Sequence, residues 1–322
     1  MKYIRLFLLP VASLVIFGAC QRYEFETESG CRAIFTAGGL TQPQQNEAYP
    51  GYKMVRFTGE GNPEAMSVVF VEEKRNRTRV LRHHLHEGTT ETLLKRDDQI
   101  HTMDYSVSGH LAFTFEQRLF LLPSSGSSPQ EVPIDQPVGN IKWRWQGEDL
   151  FCQTSQFSLM VIDQAGNVQD EYQFVTPIYD FWANDDLLMI ANLDSITAYN
   201  LSDQIPQWSF SVREYFEGLG TVAQISSNGI CVSGRVGPQG MLSEVLFSTP
   251  ESVFSYALAS GEVQSFWEQY ECYVMEPGLF TSALGTHFTT TISQVQLNGR
   301  NEKQFGLLVM QPEGPNEQIL FP

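Results

Sequence analysis

The sequence predicts an all-β fold, a β-propeller of six or seven four-stranded blades with seven the favoured count, and three observations carry that expectation. The first is a hairpin signature that recurs along the chain: an apolar or alternating run, a short polar turn, then a second short run. The second is its spacing, since the runs at Leu81, Leu119, Leu159 and Ile196 are separated by 38, 40 and 37 residues. The third is the scarcity of long stretches with a 3.6-residue apolar period, which helical repeats of similar length would need. A unit of about forty residues holds four short strands, and that is the size of one blade.

The chain opens with Lys2 and Arg5, runs apolar from Leu6 through Phe17 with only Pro10 and Ser13 interrupting, and reaches Gly18 and Ala19 before Cys20. A positive start, an apolar stretch of about a dozen residues and small residues at the cut are the three parts of a secretory signal peptide. The run is shorter than the roughly 20 apolar residues that a bilayer span requires. Its Phe-Gly-Ala-Cys ending resembles the bacterial lipobox, with Phe17 where that family has Leu, Val or Ile. The resemblance implies a signal peptide over residues 1–19, lipid of the palmitate type on Cys20, and a membrane anchor in the cell envelope. Gln21 is similar to an outer-membrane sorting residue, which places the anchor there in a Gram-negative source. Residues 20–30 then form a lipidated tether, polar, acidic and without periodicity, and residues 31–322 form the propeller domain.

Within that domain each hairpin can be read in turn. VLRHHLHEGTTETLL begins at Val80, LFLLPSSGSSPQEV at Leu119, LMVIDQAGNVQDEYQF at Leu159, ITAYNLSDQIPQWSF at Ile196 and FSYALASGEVQSFW at Phe254. Gly, Ser, Asn or Asp occupies the turn every time, as tight hairpins demand. A second pair of strands precedes each hairpin. Ile141–Trp145 followed by Asp149–Phe151 superimposes on Ile178–Trp182 followed by Asp186–Leu188 at an offset of 37. Met103–Phe113 and Val222–Val232 follow the same plan, with Gly109 and Gly229 at the turns. This plan resembles the WD-repeat, YVTN-type and quinoprotein-type propellers as a broad class, over residues 54–310. No Trp-Asp or Gly-His signature recurs, so the resemblance implies a fold and no activity.

Blade number depends on the ends and on one long interval. Phe254 begins 58 residues after Ile196, and the excess is assigned to a loop insertion over 234–250, GRVGPQGMLSEVLFSTP. Arg235, Gln239, Met241 and Glu244 within it are the candidate partner-contact residues. Ile292 lies 38 residues after Phe254 and starts a further hairpin, with 307–321 as a closing strand. Residues 31–70 supply an incomplete blade. Pairing of an N-terminal strand with the last blade would close the ring and remove its exposed edges.

The charge balance excludes one class of partner. Thirty-seven acidic residues against twenty basic ones give a net charge of −17, without the basic footprint that phosphate backbones require, so no nucleic acid is expected. The same charge repels anionic head groups and holds the domain off the membrane that Cys20 binds. With Cys20 lipidated, Cys31, Cys152, Cys231 and Cys272 remain, and four cysteines allow three disulfide connectivities. Alternatively they are buried thiols, a reading that suits Cys152 and Cys231 inside apolar runs.

Candidate chemistry is sparse. His83, His84 and His86 invite a metal reading, with His84 and His86 on one strand face beside Arg82, but a solvated face accounts for them. Trp143, Trp145, Trp182, Trp208 and Trp267 recur at matching places, which fits wedges between blades; a sugar or peptide platform is the alternative for one or two of them. The pairs Asp97-Asp98, Glu148-Asp149 and Asp185-Asp186 fall at turns, where acidic residues serve turn geometry more often than calcium binding or catalysis. No Gly-x-Ser-x-Gly elbow, P-loop or His-Glu-x-x-His is present. The sequence therefore singles out no catalytic residue, no metal ligand and no cofactor. Its expected function is a membrane-anchored binding or scaffold module for an envelope protein or ligand. The alternatives are a propeller hydrolase or lyase with a metal or carboxylate site at the channel mouth, and a sensor or surface adhesin.

Overall fold

A computed structural model describes residues 66–220 apart from 75, 76 and 127, residues 230–237, 241–248 and 252–268, and, outside these, the strands named below, mostly by backbone alone. Strands β1 (Arg22–Glu26) and β2 (Arg32–Thr36) come first. The first four-stranded sheet is β3 (Gly51–Thr58), β4 (Ser67–Lys74), β5 (Arg77–His84) and β6 (Thr90–Arg96). The second is β7 (Thr102–Tyr105), β8 (Leu111–Phe115), β9 (Arg118–Leu122) and β10 (Gln130–Val132). The third is β11 (Ile141–Trp143), β12 (Leu150–Ser155), β13 (Ser158–Ile162) and β14 (Val168–Gln173). The fourth is β15 (Asp180–Ala183), β16 (Leu187–Ala191), β17 (Ser195–Asn200) and β18 (Pro206–Ser211). Helix α1 (Val212–Gly218) leads towards the fifth: β19 (Cys231–Val236), β20 (Leu242–Ser248), β21 (Ser252–Ala257) and β22 (Val263–Glu268).

Each of these five sheets is an antiparallel meander in chain order, which is the plan of a propeller blade. Their first strands, β3, β7, β11, β15 and β19, touch one another in that order and form the inner wall. Six more strands follow: β23 (Tyr273–Met275), β24 (Phe280–Thr281), β25 (Phe288–Leu297), β26 (Arg300–Glu302), β27 (Gly306–Met310) and β28 (Gln318–Leu320). Together with β1 and β2 they make one eight-stranded sheet. Strand β24 lies against both β19 and β3, so this sheet fills the arc between the fifth blade and the first.

The all-β propeller with four-stranded blades is as the sequence predicts, but the described residues form five such blades, not six or seven. The reason lies at the ends. Part of the 31–70 stretch supplies β3 and the start of β4, which complete the blade of the Val80 hairpin instead of founding another. The Ile292 hairpin joins the terminal strands in the eight-stranded sheet. Within that sheet β2 pairs in parallel with β28, Phe35 opposite Ile319 and Thr36 opposite Leu320.

The hairpins starting at Val80, Leu119, Leu159, Ile196 and Phe254 are the third and fourth strands of the five blades, in order. The long interval has a different origin from the one expected. Residues 234–250 contain the end of β19, a hairpin and β20, not a loop insertion. The extra length sits before β19, in α1 and the residues after it. Consequently Ile230-Cys231-Val232 leads into the innermost strand instead of the second, while Val222–Gly229 lies outside the described residues.

Burial follows the two-residue period of a strand with a neighbour on each side. In the third blade, Leu150, Cys152, Met160 and Ile162 face the second blade and pack with Leu119, Leu121 and Ile141. Their alternates Phe151, Leu159 and Val161 face the fourth and pack with Phe181, Leu188 and Ile190. Equivalent slabs join the first blade to the second through Val69, Phe113 and Met103, and the fourth to the fifth through Trp182, Phe210 and Phe247. The third strand of the central blade is therefore buried throughout, whereas its fourth, β14, exposes all but Tyr172. Cys152 is one of these slab residues, and burial pushes its thiol far above the ordinary range.

Candidate functional site

Inner strands are apolar on their inter-blade faces, and the charged residues on them therefore stand out. Arg56 on β3, Asp104 on β7, Lys142 on β11 and Asp180 on β15 alternate in sign around four successive blades, and all four side chains are largely buried. Arg56 pairs with Asp104, and Lys142 Nζ lies 2.6 Å from Asp180 Oδ1. Each carboxylate also takes a backbone N–H from another blade: Trp143 donates to Asp104 at 2.6 Å, and Val232 donates to Asp180 at 2.9 Å. Lys142 reaches the Val232 carbonyl at 3.5 Å. Burial pushes the Asp104 carboxyl above its ordinary range, against the pull of the Arg56 guanidinium and the Trp143 amide. These groups spend their hydrogen-bonding capacity on one another, which is the arrangement of a clasp between blades and not of a free acid or base.

Topology assigns the turns to two faces. The connectors between blades and the turns between second and third strands lie on one face, called here the connector face; the remaining turns lie on the other. A cleft of about 470 Å³ opens on the connector face, lined by His101, Thr102, Gln117, Val138, Gly139, Asn140 and Tyr179. Its walls are sewn together. Val138 donates to the Gln117 carbonyl at 2.8 Å, Gly139 to Gln153 at 2.7 Å, and Gln153 to the Asn140 carbonyl at 2.8 Å. Asn140 is fixed by both ends of its side chain, accepting from Thr102 at 3.3 Å and donating to Asp180 at 3.2 Å. The cleft floor is thus tied to the buried charges below it.

Gln117 reaches this position through a two-residue turn in which Glu116 and Gln117 both have positive φ, 48° and 62°. Such turns match the twist of a hairpin but favour Asn and Gly, so Glu-Gln is held there against its preference. By topology the same face also bears exposed apolar side chains, Phe157, Val175, Leu193 and Leu219, with Val175 94% exposed, while Tyr179 of the cleft is 39% exposed. Phe157 and Val175 are neighbours through the bond from Phe174 N–H to the Phe157 carbonyl at 2.8 Å.

The residues singled out in the sequence are mostly dispersed. Arg235 and Glu244 face each other across β19 and β20, with Nη1 and Oε2 3.4 Å apart. Met241 is exposed at the tip of that hairpin, on the face opposite the cleft. Gln239, Cys20, Cys31 and Cys272 lie outside the described residues. His83 and His84 end β5, bonded to Thr90 at 2.8 Å and Ser67 at 2.9 Å. His86 falls in the turn, so the histidines do not share a strand face. Asp149 pairs with Arg144 at 2.7 Å, and Asp98 with Arg96 at 3.4 Å. Trp143 and Trp182 are buried, Trp145 lies 6.5 Å from Trp182 ring to ring, and Trp208 packs beside them; these are wedges between blades. The charged residues of the inner wall escaped the sequence reading, although a signal exists: Asp104, Lys142 and Asp180 recur at steps of 38 within otherwise apolar strands.

No family model matches the chain, and no curated protein matches it. Among solved structures it is similar to Kluyveromyces lactis Hsv2, at 11% identity and a TM-score of 0.45, over 83% of this chain and 76% of that one. It is also similar to Kluyvelomyces marxianus Hsv2, at 10% identity and a TM-score of 0.48, over 84% of this chain and 74% of that one. At these scores the likenesses carry no argument about this chain, whose fold rests on its own strand pairing.

Proposed function

We propose that this protein is a propeller binding module of the cell envelope, anchored by lipid on Cys20, that engages a protein or envelope ligand with its connector face. The observation that carries this reading is the pairing, on one face, of an open cleft bearing several uncharged polar side chains with the exposed apolar side chains Phe157, Val175 and Leu219. Exposed apolar groups beside polar ones are the composition of a recognition surface. A rigid ring is also a suitable platform, because the connectors that bear these residues are bonded to neighbouring turns. The buried carboxylates beneath the cleft favour binding over hydrolysis, since their oxygens already serve Arg56, Lys142 and backbone amides.

The test uses the lipidated chain in its native membranes, with a photo-cross-linking residue placed at Val175, at Ile205 or at Met241. A discrete adduct from Val175 that neither Ile205 nor Met241 gives is the expected result. Adducts from Met241 alone would move the docking surface to the β19–β20 hairpin, where Arg235 and Glu244 also belong. Equal, diffuse labelling from all three would sink the reading. In parallel, Cys20→Ala should abolish metabolic labelling by a palmitate analogue and release the protein from the membrane fraction. Retention of both would remove the anchor from the proposal.

A further inference from the structure

We infer that the connector-face cleft is a binding site for a neutral saccharide, a reading that rests on the connector face being the binding face and names the chemistry of its ligand. The first reason is the lining. In a chain of net charge −17, the cleft is lined by no Asp, Glu, Lys or Arg among the described residues: its side chains are imidazole, hydroxyl, carboxamide, phenol and Val. Among the described residues of the lining there is no guanidinium or ammonium to take a phosphate or carboxylate, and no carboxylate to take an amine. The buried Lys142 and Asp180 below are paired with each other. The lining exposes apolar as well as polar surface, which suits an amphipathic ligand better than a purely apolar one, since the latter would strip water from the polar groups and return no hydrogen bond.

The second reason is which polar groups remain available. Thr102 and Asn140 are committed to each other and to Asp180. His101, Gln117 and Tyr179 line the cleft, and the imidazole, carboxamide and hydroxyl they carry have no side-chain hydrogen-bond partner among the described residues. Together they offer donors and acceptors of mixed sense, as vicinal hydroxyls require. The third reason is the half-exposed ring of Tyr179 beside them. An aromatic ring with a polar tip covers the apolar C–H face of a pyranose while its neighbours bond the hydroxyls at the rim. About 470 Å³ lies within the range of small-ligand sites, and the bonded walls spare the ligand the cost of ordering them.

The experiment titrates the full lipoprotein, held in a detergent without a sugar head group, with galactose, maltose and N-acetylglucosamine. Glucuronate and glucose 6-phosphate serve as charged comparators. Binding is read by saturation-transfer NMR and calorimetry. The expected result is saturable binding of at least one neutral sugar, weakened about tenfold or more by Tyr179→Ala and by His101→Ala and unchanged by Ile205→Ala. All three variants replace surface side chains, and unaltered thermal melting shows that they fold. Absence of saturable binding by every neutral sugar, binding that survives both cleft substitutions, or preference for the charged comparators would each overturn the proposal. If Val175 still yields its discrete adduct while no sugar binds, the connector face stands as a docking surface and the saccharide is excluded.

Discussion

A carboxylate buried between blades must be matched where it sits, and Asp104 shows how closely. Arg56 from the first blade, the Trp143 amide from the third and its own neighbour Tyr105 all donate to it. Asp104→Ala would remove a buried carboxylate from the guanidinium and the acceptor from the Trp143 amide at one stroke. Removing one partner of such a buried pair costs about 3–5 kcal/mol, and a fall of that size in urea denaturation is expected. Asp104→Asn, which keeps an acceptor, should lose less. At His83 the prediction concerns pH. Burial first, then the charge of His84, lowers the His83 pKa below its ordinary value of 6.5. The folded state therefore binds that proton less readily than the unfolded chain, and stability is present above pH 6.5 and lost as pH falls through the folded value. Thermal melts between pH 7.5 and 5 should show this decline, and His83→Gln should flatten part of it; an identical decline in the variant would assign it elsewhere. These residues were visible in the sequence only in part. The spacing of Asp104, Lys142 and Asp180 could be read, but the partner of each lies tens of residues away, and spacing alone does not say which charge meets which.

Hairpins are where local rules sufficed, because alternation and turn chemistry act within about fifteen residues. All five outer hairpins were legible for that reason. Helix α1 was not, since seven residues give too short a period to notice. Its mark is the start, Ser211-Val-Arg-Glu214, a capping-box sequence in which the Ser211 hydroxyl accepts the Glu214 N–H at 3.2 Å. Overlooking it shifted the fifth blade, so β19 and β20 read as a loop. Within β19, Gly234 is where the fifth blade meets the Trp182 ring of the fourth. A β-carbon there would meet the Trp182 ring at 2.6 Å and Leu242 Cδ1 at 2.6 Å. Gly234 is therefore a packing residue of β19, which lets the indole from the fourth blade lie directly on the backbone of the fifth. Gly234→Ala should destabilise by about 1–3 kcal/mol, the usual cost of overpacking. Trp182→Leu in the same chain should recover part of the loss, because it removes the ring that clashes. Additive losses in the double variant would place the strain elsewhere.

For the molecule as a whole, the decisive step is how the ring closes, and blade counting from the sequence erred there. A repeat spacing registers each hairpin as one unit, whereas the two ends of this chain share a single sheet. The cleft was also beyond sequence reading, since His101, Gln117, Asn140 and Tyr179 come from three successive blades and meet only once these stack. Closure now makes a prediction of its own. Strand β28 lies between β2, its parallel partner, and β27, its antiparallel one. Removal of residues 318–322 would leave β1 and β2 as a two-stranded hairpin, which is marginal alone, and would open the edge of β27. Because β25 and β27 lie against β3, the disturbance should pass to the first blade before the third and fourth, which are walled by neighbours on both sides. The truncated chain is expected to melt roughly 5–10 °C lower, equivalent to a few kcal/mol for a chain of this size. Hydrogen exchange should locate the change, with amides of β3, β4 and β27 losing protection while those of β12, β13 and β16 keep it. Uniform loss across every blade would mean that the ring opens as one cooperative unit. An unchanged melting point would mean that the inter-blade slabs hold the ring without its terminal strands.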